Sequence, residues 1–173
     1  MPVMDDLVTW LTAQLDDDER VARAATAGPW RHSPDKHWRK PGTAWFEEAV
    51  FAGATGASAT CVAGTGETGD RQSMADAEHI ARHDPARVLR DVEVKRQILD
   101  IHGIIWRSIG WLERDGDVLD EAYEELPVCV ACVAKHSSFP TRDAVPVGPC
   151  RYVRLLASPY SDRPGYREEW KLP

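Results

Sequence analysis

Positive charge is scarce in this chain. Lysine and arginine together number 21 against 28 aspartates and glutamates, a formal net charge of -7 over 173 residues. Sequence-independent nucleic-acid binding runs on Lys/Arg neutralisation of phosphates, so the balance disfavours that class and leaves room only for a local basic patch. Long apolar runs are missing as well: none reaches the roughly 20 residues that span a bilayer. No N-terminal stretch joins a basic start, an apolar core and a cleavage site, so the expected location is the cytoplasm. Catalytic signatures are equally thin. No Gly-x-Ser-x-Gly elbow occurs, and Gly64-Thr65-Gly66 lacks both the Lys-Ser/Thr of a phosphate loop and the spacing of a dinucleotide fingerprint. No triad can be assembled from the residues, and no repeat or low-complexity tract is present.

What is present suits a folded protein. The chain is 43% hydrophobic and 28% charged, a globular composition, and is long enough for one ordinary core. The expected fold is a single α+β domain over residues 1–173. A helix–sheet–helix core occupies 1–102, and a cysteine-containing, metal-pinned helical part occupies 103–173. Its organising stretch is Ser73 to His102. Ser73 reads as an N-cap with Asp76 in the first turn. Asp84-Pro85 reads as an elbow, because proline disfavours helical geometry before it yet suits a first helical position. Beyond it, Val88, Leu89, Val92 and Leu99 line one stripe and Val94, Ile98 and Ile101 an adjoining one, predicting a helix packed on two sides. Asp91 and Lys95 are spaced for an i,i+4 pair.

The remaining elements follow from similar signals. Met4 to Ala25 predicts an N-terminal helix with Leu7, Trp10, Leu11 and Leu15 buried, stopped by Gly28-Pro29, and with a solvated acidic run at Asp16 to Glu19. His32 to Gly42 reads as a loop whose His32, His37, Trp38, Arg39 and Lys40 could meet a phosphate or base, although an exposed loop with incidental basic residues explains them better. Trp45 to Ala52 and Ala57 to Ala63 predict two strands, with Gly64 to Gly66 a flexible linker after them. Cys61 reads as a small buried hydrophobe. Ile104 to Arg114 and Val118 to Glu125 are expected to be helical, as is the segment from Pro149 to Tyr160. Tyr166 and Trp170 are expected to pack back on the body.

The strongest chemistry lies in the cysteines. Cys129-x-x-Cys132 lets two thiolates reach one tetrahedral ion, and Cys150 adds a third after a loop. His102 and His136 compete as fourth ligand, with Cys61 the outsider. Three thiolates and an imidazole would saturate zinc and make it a structural staple. A second candidate is His79 with His83, which i,i+4 spacing puts on one helical face. The zincin pattern needs glutamate directly after the first histidine, where this chain has Ile80, so polar-face histidines explain the pair better.

Three segments carry a resemblance: DDLVTWLTAQLDDDERVARAATAGPWR, DAEHIARHDPARVLRDVEVKRQIL and PCRYVRLLASPYSDRPGYREEW. They resemble, in order and between residues 5 and 170, an actinobacterial family of unknown function common in streptomycetes and their mobile elements. The order of AATAGPW, strands and DAEHIA is more loosely similar to small phage proteins of the ead type. The resemblance implies His102, Cys129, Cys132 and Cys150 as a recurring set, favouring His102 over His136, and it implies no reaction. Function expectations are therefore a zinc-stabilised accessory or interaction protein with a protein partner, a hydrolase or nuclease using His79 and His83, or a nucleic-acid-binding module. Acidity and the absent catalytic groups favour the first.

Overall fold

The computed structural model describes residues 5–32, 38–39, 42, 46–53, 59–115, 118–133 and 147–173. They hold an α+β arrangement of helices and small antiparallel sheets. Two compact units emerge, one made of residues 16–93 and the other of 1–15 with 94–173.

In the unit of residues 16–93, a four-stranded antiparallel sheet centres on β3 (Phe46–Ala52). β1 (Trp30–His32) and β2 (Trp38–Arg39) share one edge of β3, and β4 (Thr60–Glu67) takes the other. The sheet thus gains strands from the Trp30 segment and from within the expected His32–Gly42 loop. Ala49, Val50, Phe51 and Ala52 are all buried, so β3 is covered on both faces, as an unbroken apolar run favours. β4 extends past Ala63 and absorbs Gly64 to Gly66, correcting the linker expectation. The physical reason is close approach. Gly66 sits at φ +136°, and a Cβ there would collide with the Ser73 hydroxyl. Thr65 Oγ1 lies 2.7 Å from the Ser73 carbonyl and so ties the strand to the next helix.

That helix, α2, spans Arg71–Arg82, and its cap is Asp70 rather than Ser73. Asp70 Oδ2 accepts from the Ser73 backbone N–H at 2.8 Å and from its hydroxyl at 2.9 Å. These bonds hold the Asp70 carboxyl below its ordinary value. The elbow lies at the expected place: α3 (Pro85–Ile101) follows, with Asp84 Oδ1 accepting from Arg87 N at 2.8 Å. The expectation of a helix packed on two sides is corrected. Val92 and Leu99 are buried, but Val94 is 53% and Ile101 60% exposed. Asp91 pairs with Arg87 at 3.8 Å, one turn back, while Lys95 donates to Tyr160 Oη at 2.8 Å. An aspartate between two basic residues can turn either way, and a tyrosine hydroxyl claims the lysine.

In the other unit, Leu7, Leu11 and Leu15 of α1 (Asp5–Ala24) recur once per turn and are fully buried. Trp10 is only half-buried, joining Tyr166 and Trp170 at ring-centre distances of 5.5 and 5.3 Å. Its indole N–H donates to the Pro164 carbonyl at 3.0 Å. The largest correction concerns Ile104 to Arg114 and Val118 to Glu125, both expected to be helical. They form a hairpin of β5 (Ile104–Asp115) and β6 (Val118–Cys129), in register from Ile104↔Cys129 to Asp115↔Val118. Ile104, Ile105, Trp106, Ile109 and Trp111 are β-branched or aromatic types that lose rotamer freedom in a helix and suit a pleated surface. Helix returns in α4 (Val130–Val133) and α5 (Arg151–Ala157), where Val153 is buried and Leu155 is exposed. Among the described residues no helix is long and apolar enough to cross a membrane.

Candidate metal centre

Four elements of the second unit end at one point. His102 follows the last residue of α3, Cys129 closes β6, Cys132 lies in α4, and Cys150 is the residue before α5. Backbone bonds fix these ends. Val130 N–H donates to the Gly103 carbonyl at 2.9 Å, tying the start of α4 to the α3–β5 link. Gly148 N–H donates to Pro127 at 3.0 Å beside a Val128↔Val147 bridge, which carries the chain back along β6 toward Cys150. Cys150 occupies the N-cap position of α5 yet makes no side-chain cap bond. Its sulfur is turned to the cluster instead.

The imidazole is the hub. His102 Nδ1 lies 3.4 Å from Cys129 Sγ, 3.8 Å from Cys132 Sγ and 3.5 Å from Cys150 Sγ. One donor atom from each of the four residues falls within 4.8 Å of all the others, and the cysteines are free thiols. Cys129 and Cys150 are buried, while His102 and Cys132 are half-buried. Burial, then hydrogen bonding with Cys129 and Cys150 and their charge, pushes the Cys132 thiol up to about 12. Crowded sulfurs resist ionising beside one another, and a bound cation supplies the charge that reverses that preference. These four side chains could bind a metal ion. The Tyr152 ring covers the imidazole, 4.7 Å from it between centres and tilted by 33°. Tyr152 was not singled out from the sequence; its only signal is the spacing of two residues from Cys150.

The family model described as a family of unknown function (DUF6221) matches residues 4–172 of this chain. The chain belongs to that family. No curated protein and no solved structure matches it.

The other sequence candidates of this DUF6221 chain fall elsewhere. His79 and His83 stack at 4.4 Å on the exposed side of α2, and His83 Nδ1 lies 2.7 Å from the His79 carbonyl. Glu78 is engaged by Arg82. Among the described residues no third His, Cys or carboxylate joins the two imidazoles in a ligand-sized group. His136, His37 and Lys40 lie outside the described residues. Cys61 is half-buried rather than buried, and its thiol is raised by burial first and the charge of Glu47 second.

His32, expected in an exposed loop, ends β1 and faces Glu48, with Nε2 2.8 Å from Oε2. Glu48 is 1% exposed, and its Oε1 accepts from the Gly69 N–H at 2.9 Å. Sequence reasoning missed this pair. The available signal was a glutamate placed directly before an apolar run in β3.

Proposed function

We propose that this protein is a small zinc-stabilised accessory or interaction protein that works by binding another protein. The observation that carries the reading is the set of three nitrogen–sulfur distances, 3.4, 3.8 and 3.5 Å. A tetrahedral zinc with Zn–S of about 2.3 Å and Zn–N of about 2.05 Å would set such edges at roughly 3.5 Å. One imidazole and three thiolates are also a donor set that zinc favours over hard, oxygen-seeking cations. His102, Cys129, Cys132 and Cys150 would hold the ion and leave no open position for substrate, so its chemistry is that of a cross-link. We place the protein in the cytoplasm, in a mobile-element setting of the kind the sequence resemblance implies. The negative balance supports a protein partner over nucleic acid.

The test is elemental analysis of protein purified without added metal, alongside His102→Ala and Cys129→Ser variants. About one zinc per chain, lost or strongly depleted in both variants, is the expected result. Metal absent from the parent protein, or retained at full occupancy by both variants, would remove the reading.

A further inference from the structure

β5 and β6 form a two-stranded sheet of 12-residue strands, and each strand has an outer edge. The two edges differ. The base of β6 is covered by the Val128↔Val147 bridge, and its run carries Asp120, Glu121, Glu124 and Glu125 together with Pro127. Acid runs and proline are the devices that keep an edge from pairing. β5 has no strand on its outer edge among the described residues, and its sequence, IIWRSIGWLERD, contains no proline and no lysine. Trp106 on it is 60% exposed and Ile105 42%. A ribbon of two strands is marginal in water, whereas three or more strands with covered apolar groups are not.

We infer that β5 pairs antiparallel with β5 of a second copy of this chain, making a continuous four-stranded sheet about a two-fold axis at Gly110. Charge complementarity supports that occupant and that register. With Gly110 opposite its own counterpart, Arg107 of each copy stands opposite Glu113 of the other, and Trp106 opposite Arg114. Each pairing occurs twice because the interface is isologous. Opposite charges across an antiparallel pair stabilise it, and a tryptophan opposite an arginine offers a cation–π contact. Pairing through β6 would instead set carboxylate positions against carboxylate positions. The inference goes beyond the metal reading and does not depend on which ion the cluster holds.

Sedimentation analysis of the metal-loaded 173-residue chain across micromolar concentrations tests it. The parent chain is expected to dimerise. Arg107→Glu, which sets like charges opposite one another twice, should weaken the dimer by about tenfold or more. The double variant Arg107→Glu/Glu113→Arg should recover it. A monomer at every concentration overturns the inference, as does a dimer indifferent to Arg107→Glu or a double variant no tighter than the single one. Amide exchange supplies the second reading. Protection of β5 amides that appears only as the dimer forms supports the pairing, and equal protection in a monomer means the edge is covered within the chain.

Discussion

A glutamate that is 1% exposed cannot keep its charge or its hydrogen-bonding capacity idle without cost. In Glu48 one oxygen meets the His32 ring and the other the Gly69 N–H, so the side chain joins β1, β3 and the turn before α2. Glu48→Ala would take the acceptor from the largely buried His32 ring and from the Gly69 N–H, and breaking such a pair costs about 3 kcal/mol. Glu48→Gln keeps the acceptor toward Gly69 and should cost clearly less. Urea denaturation of the two variants decides this, and equal losses would mean that the Gly69 bond contributes little. Cys61 gives a second expectation at this scale. Burial and the Glu47 charge raise its pKa, so its thiolate is scarce near neutral pH. Alkylation of Cys61 should be slow at pH 7, accelerate as pH climbs through and beyond the ordinary thiol range, and need no chelator. Fast labelling at neutral pH would contradict that microenvironment.

At the scale of elements, α2 begins where a short side chain can cap it. Asp70 is ionised when it accepts from Ser73, and its pKa is lowered from 3.8. A depressed carboxylate stabilises the fold fully above its unfolded pKa, and that contribution is lost as pH falls through the folded value. Asp70→Ala should therefore weaken the protein at neutral pH and flatten the pH dependence of its stability in the acid range below 3.8. Circular dichroism against pH would show this, and parallel acid titrations of variant and parent would refute it. The elbow and the cysteine knuckle were legible in the sequence because their causes are local: Pro85 restricts Asp84, and Cys129 and Cys132 lie within one turn. The cap was displaced by three residues because Asp70 and Ser73 are both competent, and only their mutual geometry ranks them. The hairpin was illegible for a different reason. Ile104 to Trp111 spaces its apolar groups in a way that a helix or a strand can use, and the pairing that decides lies up to 25 residues away. Glu48 likewise meets His32 only through the register of β1 on β3, so one strand read alone conceals it.

For the molecule as a whole, the proposed zinc site makes the decisive quantity the size of metal binding against that of folding. Structural zinc contributes roughly 10–16 kcal/mol in small sites near neutral pH. The net stability of an entire domain is about 5–15 kcal/mol, so loss of such an ion can outweigh everything else that holds its surroundings. Four candidate ligands gather the end of α3, the end of β6, α4 and the start of α5, and without a cation Cys132 keeps its proton up to about 12. Cysteine sulfurs and an imidazole offer only weak hydrogen bonds to one another in its place. Removing metal with a chelator should unfold the segments around residues 102, 129, 132 and 150 in one cooperative step, detectable by tryptophan fluorescence because Trp106 adjoins them in sequence. Cys129, Cys132 and Cys150 should become reactive together, while the labelling rate of Cys61 stays where it was. Re-adding zinc, and not magnesium, should restore both signals, since magnesium demands oxygen ligands. Thiols that react before chelation, or a fluorescence spectrum indifferent to it, would mean that backbone bonds and packing alone hold this end of the protein.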